Sequence, residues 1–340
     1  MRTRSIEVAM AIGTGLFATR ALLHAGRRYA LAGKTVLITG GSRGLGLALA
    51  REFGRHRARL AISARDSEEL EGARQDLQSR GAEVMAFPCD LTQREQAQAL
   101  AEQVRAHFGS VDVLVNNAGV IEVGPLESLA LEDFEEAMRT HFYAPLYLTL
   151  AVIPAMRRRR QGRIINISSI GGLVSVPHLV PYCASKFALT GFSDGLRAEL
   201  AQDNVYVTTV APGLMRTGSS RHAWFKGRPW AEYRWFRAVA ALPVLTMGPD
   251  RAARKIVAAC RRGDAELILT PQAKLLAVSR RLFPELVTDF MDVAHRVLPH
   301  GSDGSGDKVE GADLEPPRGG SLFDRLNRFA ALRMNEYARS

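Results

Sequence analysis

Of the seven tyrosines, Tyr182 alone has a lysine four residues on, Lys186. The stretch from Tyr182 to Leu200 reads as helix, so one turn stacks the two side chains on one face. A free tyrosine titrates near ~10 and moves protons poorly at neutral pH. A lysine ammonium held close favours the phenolate and brings the pair into a useful range. Ser169 follows Arg163-Ile164-Ile165-Asn166-Ile167-Ser168, a run that reads as a buried strand with its polar residues at the end. Ligands bind at that carboxyl edge in open α/β sheets. A hydroxyl there can hold a carbonyl oxygen while Tyr182 moves a proton to or from it.

From Lys34 onward, apolar strands alternate with helical periods, as a parallel sheet with helices on its faces requires. Lys34–Thr39 reads as the first strand. It runs into Gly40-Gly41-Ser42-Arg43-Gly44-Leu45-Gly46 and a helix ending near Arg55. Glycines at 40, 44 and 46 allow a tight turn and let backbone amides approach a pyrophosphate at the helix N-terminus. The second strand, Arg59–Ser63, ends in Ala64-Arg65-Asp66. An acidic residue at that tip would suit the ribose hydroxyls of NAD. Arg65 there, with Arg43 in the glycine loop, suits a 2′-phosphate and predicts NADP(H) in preference to NAD(H). Asp90 in Cys89-Asp90-Leu91-Thr92 ends the third strand, Glu83–Pro88, and accepts either from an adenine amine or as a helix cap. A further strand, Val111–Val115, ends in Asn116-Asn117-Ala118-Gly119, a sequence that permits close backbone approach.

The 340-residue chain is 46% apolar and 24% charged, an ordinary globular composition with a formal net charge of +10. No helix-turn-helix or zinc signature accompanies that charge, which argues against nucleic acid and favours an anionic cofactor or membrane surface. The three cysteines, Cys89, Cys183 and Cys260, are odd in number and widely spaced, as in reduced cytoplasmic proteins. No metal-ligand spacing is visible among them and the eight histidines.

Thr39-Gly40-x3-Gly44-x-Gly46, Asn116-Asn117-Ala118-Gly119, Ser169 before Tyr182 and Lys186, and Pro212-Gly213-x3-Thr217 occur in that order. Together they resemble the short-chain dehydrogenase/reductase family over roughly Gly33 to Thr270. The resemblance implies a doubly wound, Rossmann-type, seven-stranded parallel sheet and hydride transfer between a bound NAD(P) and a carbonyl or alcohol carbon. It makes Tyr182 the general acid/base, Lys186 its partner on the nicotinamide ribose, and Ser169 the group orienting the substrate oxygen. Asn117 would lie along the cofactor, with Ala118 and Gly119 beside it. Pro212, Gly213 and Thr217 would cover the nicotinamide. His141 departs from the family, falling where an asparagine usually holds a relay water. Imidazole can donate and accept like an amide, so a relay role stands beside simple packing. A nucleotide-binding scaffold with little turnover is the competing functional reading.

In similar enzymes residues 214–247 would form a substrate lid, and here that stretch holds Trp224, Trp230 and Trp235. Such a lid suits a bulky apolar or amphipathic carbonyl or alcohol; the alternative is a loop burying its aromatics against the core or a twin subunit. Outside the 33–270 domain, residues 1–32 carry an apolar run, Val8–Thr19, between basic flanks. That run is too short to span a bilayer and reads equally as an interfacial anchor or a docking helix. Residues 271–300 read as an appended helical segment, 301–320 as a disordered linker, and 321–340 as an amphipathic tail helix. Peripheral contact with the cytoplasmic face of a membrane, or homo-oligomerisation, would use these segments.

Overall fold

The structure is a computed structural model that describes residues 26–241, 246–301, 307–315 and 334–335. Strand β1 (Thr35–Thr39) leads to α1 (Gly44–Arg55), β2 (Arg59–Ala64), α2 (Ser67–Ser79), β3 (Val84–Pro88) and α3 (Arg94–Phe108). Then come β4 (Val113–Asn116), β5 (Glu122–Val123), α4 (Leu131–Met138), α5 (Ala144–Arg159), β6 (Gly162–Ile167) and α6 (Val180–Leu200). Strands β7 (Val205–Ala211) and β8 (Trp224–Phe225) precede α7 (Pro229–Ala241) and α8 (Pro249–Arg262). The last described elements are β9 (Glu266–Ile268), α9 (Pro271–Leu282), α10 (Pro284–Arg296) and β10 (Val309–Glu310).

Seven strands form one parallel sheet in the order β3-β2-β1-β4-β6-β7-β9. The connections reverse direction between β1 and β4, and the crevice at such a switch point is where ligands bind. Both faces are covered, so the strands are continuous apolar runs rather than alternating ones. Along β1, Val36 and Ile38 enter the core under α1, α2 and α8, while Leu37 enters the core under α3, α5 and α6. At the carboxyl end, Asn116 donates to Asn166 Oδ1 at 2.8 Å and Asn166 donates to Ser193 Oγ at 2.7 Å. This buried polar ladder ties β4 and β6 to the helix carrying Tyr182 and Lys186.

A second sheet of three short strands, β10-β8-β5, was not foreseen in the sequence. Within the stretch 301–320 expected as a disordered linker, the described residues Val309 and Glu310 pair antiparallel with Phe225 and Trp224. The linker composition is polar, but the unsatisfied edge of β8 supplies the backbone partners that composition cannot reveal. Within 271–300 the chain forms α9 and α10, which end at Arg296. The Val8–Thr19 run and most of the 321–340 tail lie outside the described residues. The described pair from that tail, Met334 and Asn335, forms a turn instead of helix.

Candidate active site

A cavity of about 840 Å³ runs along the carboxyl edge of the sheet. At one end it is lined by Gly40, Ser42, Arg43, Gly44, Leu45, Arg65, Asp90 and Leu91; Asn117, Ala118 and Gly119 follow. Ser169, Tyr182 and Lys186 come next, then Pro212, Gly213 and Thr217, so the cavity gathers the residues singled out from the sequence together with His141. Gly46 does not line it but makes it possible. A Cβ on Gly46 would lie 1.9 Å from the Gly40 carbonyl oxygen, so only glycine lets α1 start this close to the turn. Asn117 Nδ2 donates to the Thr39 and Gly40 carbonyls at 3.0 and 3.1 Å, fixing the same turn from the β4 side.

The adenosine end is more acidic than the sequence suggested. Arg43 donates to Glu69 Oε1 at 2.7 Å, and Ser42 Oγ donates to Glu69 Oε2 at 3.3 Å. Arg65 is exposed at the tip of β2 and has no ion-pair partner among the described residues. Asp66 is spent as the cap of α2, accepting from the amides of Glu68 and Glu69. Asp90 does not cap α3, where Gln93 is the capping position. One carboxylate oxygen of Asp90 instead holds the amide and hydroxyl of Thr92. A phosphate-bearing dinucleotide fits this end: it offers a glycine turn, a helix N-terminus and two guanidinium groups.

At the centre, Pro181 starts α6 at Val180, two residues before Tyr182. Lys186 Nζ lies 5.7 Å from the centroid of the Tyr182 ring and donates to the Ile167 carbonyl at 2.9 Å. Burial pushes Lys186 down to about 7. Burial also drives Tyr182 up to about 12, although a hydrogen bond with Ser169 pulls the other way. The expectation that Lys186 depresses the tyrosine is therefore not met in the protein alone. The cost of burying charge outweighs a lysine aimed at a backbone carbonyl. Ser169 accepts from the Gly171 amide at 3.0 Å, which orients its hydroxyl at the strand end. The turn after it needs Gly172, because a Cβ there would fall 2.4 Å from Ser168 Oγ and 2.7 Å from the Lys186 carbonyl oxygen.

His141 lies in a π-helical turn, Arg139–Tyr143, between α4 and α5. Such turns carry an extra residue and commonly mark functional sites. The ring is buried edge-to-face against Tyr182 at 5.2 Å. Its Nε2 accepts from the Val120 amide at 3.1 Å, which leaves the proton on Nδ1, 2.8 Å from Ser185 Oγ. Burial first, and then the charge of Lys186, hold it neutral by lowering its pKa well below the ordinary value. Both ring nitrogens are thus engaged with protein, Nε2 by the Val120 amide and Nδ1 by Ser185 Oγ.

Over the far end, the lid region divides its aromatics. Phe225, Tyr233 and Phe236 form a small core with Val123 and Ala223, while Trp235, Phe236, Val239 and Leu276 face the cavity. Two buried polar groups anchor it. Glu232 accepts from Trp235 Nε1 at 2.6 Å and meets His178 Nδ1 at 3.0 Å. Lys226 donates to Asp133 Oδ2 at 2.6 Å, with Glu122 Oε1 3.8 Å away. Neither the His178–Glu232 nor the Lys226–Asp133 pairing is visible in the sequence, since the partners lie 54 and 93 positions apart. Among the described residues there is no group of side chains able to hold a metal ion.

The profile of the short chain dehydrogenase family matches residues 34–226. A protein of Anopheles gambiae named dehydrogenase/reductase SDR family protein 7-like is 36% identical over 248 residues, covering 72% of this chain and 77% of its own. A fatty acyl-CoA reductase of Acinetobacter baylyi is 32% identical over 278 residues, covering 81% and 89%. Among solved structures, a metagenomic short-chain oxidoreductase in complex with NADP superposes with a TM-score of 0.59 at 32% identity, covering 72% of this chain and 99% of that one.

Proposed function

The chain belongs to the short-chain dehydrogenase family of oxidoreductases acting on CH–OH and C=O groups, and from that premise we propose that it is an NADP(H)-dependent carbonyl reductase or alcohol dehydrogenase for a bulky apolar or amphipathic substrate. The observation that carries this reading is the meeting of Ser169, Tyr182 and Lys186 on a cavity whose far wall is Trp235, Phe236 and Val239. When bound, the dinucleotide supplies or takes the hydride. In the reductive direction, Ser169 and Tyr182 hold the substrate oxygen and the Tyr182 hydroxyl gives it a proton. Lys186 lies against the phenol and holds a proton that can follow. Apolar lid side chains exclude water from the reacting carbon. Arg43 and Arg65 favour the 2′-phosphate, in keeping with the NADP held by the metagenomic neighbour. The fatty acyl group in the name of the Acinetobacter relative is of the chemical kind such walls accept.

The test is consumption of NADPH and of NADH with aldehydes and ketones of increasing chain length. Wild type turns over with NADPH preferred, and Tyr182→Phe loses at least ~100-fold in rate while binding NADPH as before. A Tyr182→Phe enzyme of undiminished rate would overturn the proposal. Wild type that binds NADPH yet consumes none with any of these carbonyls would leave the scaffold reading, in which the dinucleotide binds without chemistry.

A second reading, peripheral contact with the cytoplasmic face of a membrane, draws on α9 and α10. Leu275, Leu282, Leu286 and Phe290 on this pair of helices are 69%, 65%, 67% and 63% exposed, and Val297 just past α10 is 81% exposed. An apolar stripe of this kind marks an interaction surface, and Leu276 on the same hairpin lines the cavity. No helix among the described residues is long and apolar enough to cross a membrane, so contact would be interfacial. Wild type should sediment with anionic vesicles at low salt, and Leu286→Asp/Phe290→Asp should not. Failure of wild type to bind, with a smaller oligomer for the double variant, would assign the stripe to homo-oligomer contact.

A further inference from the structure

The turn at Met334 and Asn335 lies against the glycine loop. The Gly44 amide donates to the Met334 carbonyl at 2.9 Å. Asn335 Nδ2 bridges two segments, donating to the Ser42 carbonyl at 3.0 Å and to the Glu69 carbonyl at 3.2 Å. The Met334 side chain is 1% exposed among α1, α2 and α8, and its sulfur accepts from Arg51 Nη1. Asn335 has φ of 58°, a left-handed conformation that asparagine tolerates better than most residues.

These contacts fall on the residues that frame the adenosine end. Ser42 and Glu69 are joined through their side chains on the cavity side and through Asn335 on the outer side. Glu69 also receives Arg43, the guanidinium read as a phosphate ligand. Neither Met334 nor Asn335 lines the cavity. Their effect on a dinucleotide is therefore exerted through the loop. We propose that the Met334–Asn335 turn is a positioning element of the cofactor site, clamping the glycine loop to α2 so that Arg43 and Glu69 are set for discrimination at the adenosine 2′ position. This rests on the dinucleotide reading above and goes beyond it in assigning a part in cofactor selection to the Met334–Asn335 turn.

The decisive variant is Asn335→Asp. It keeps size and tolerance of the left-handed backbone but turns a donor toward two carbonyls into an acceptor. Asn335→Gly keeps the backbone and merely removes the amide. NADPH, NADH, 2′,5′-ADP and 5′-AMP are titrated against the full chain, with steady-state cofactor KM, kcat and the melting temperature measured alongside. The Kd and KM for NADPH should rise about tenfold in Asn335→Asp, the loss expected of two hydrogen bonds. The rise should be smaller in Asn335→Gly. In both, kcat at saturation should hold and the NADPH-to-NADH affinity ratio should move. Wild-type preference for NADH would refute the 2′-phosphate reading alone, and the clamp would then be judged by the same shift in ratio. Unchanged cofactor KM and unchanged ratio in Asn335→Asp would overturn the clamp. So would a fall in melting temperature with neither of them altered.

Discussion

Two lysines are buried to nearly the same degree, Lys186 at 4% and Lys226 at 6% exposure, and their surroundings are opposite. Lys226, under the lid, has Asp133 at 2.6 Å and Glu122 at 3.8 Å. Lys186, in the cavity, has no ion-pair partner among the described residues and only a backbone carbonyl to donate to. A buried cation with carboxylates around it holds the fold together, because removing one partner strands the others. A buried cation without them carries an unrelieved desolvation cost, which a protein retains where the charge serves chemistry. The contrast separates the lysine proposed for catalysis from one that ties the lid to the fold, without reference to any motif.

Lys186→Met offers the strongest challenge to this distinction. Turnover should fall by several orders of magnitude, yet the protein should become more stable at pH 7. The sign follows from the shift. Between about 7 in the folded chain and 10.5 unfolded, the unfolded chain binds the extra proton, so the lysine's penalty recedes as pH rises through that window. Melting curves at pH 7 and 9 should therefore converge for wild type and variant, and a variant less stable than wild type at both would break the contrast. Lys226→Met should do the reverse: a loss of ~3–5 kcal/mol in urea denaturation, with cofactor affinity intact. If stability is unchanged, Lys226 is no structural anchor.

Glu122 gives the smallest effect and sharpens the same comparison. Burial, reinforced by its hydrogen bond with Asp133, raises it to about 7. Between the usual 4.5 and that value the folded chain holds a proton that the unfolded chain releases. Its contribution is thus present below pH 4.5 and lost as pH rises through about 7. Glu122→Gln mimics the protonated form permanently. Relative to wild type it should gain on the order of 2 kcal/mol between pH 4.5 and 7.5. Parallel stability profiles for the two proteins would show that Glu122 does not titrate with the lid.

The cofactor end was legible in the sequence because its geometry is local. Gly40, Gly44 and Gly46 lie within one turn, and Tyr182 and Lys186 within another, so spacing alone fixes what they can do. The sheet was legible for the same reason, as short apolar runs between helical periods. What was missed depends on pairs far apart in the chain. Glu69 reaches Arg43 across 26 positions, Lys226 reaches Asp133 across 93, and Asn335 reaches Ser42 across 293. No residue-type pattern announces such partners. His141 falls between these cases: its place was found by resemblance, but the commitment of both ring nitrogens required Val120 and Ser185 to be seen in position.

The three-stranded sheet has a consequence for how the molecule assembles. Its strands come from 122–123, 224–225 and 309–310, so closing it demands two loops of roughly a hundred residues, among the entropically slowest contacts a chain makes. The parallel sheet up to β4 needs no residue beyond Asn116 for its own pairing. A chain emerging from the ribosome can therefore pair the strands beneath the glycine loop long before Val309 and Glu310 close the second sheet. Until Val309 and Glu310 arrive, the apolar wall of Trp235 and Phe236 has no closed sheet behind it. Chaperone engagement during synthesis should accordingly centre on the lid, and outlast the pairing of β1 to β4.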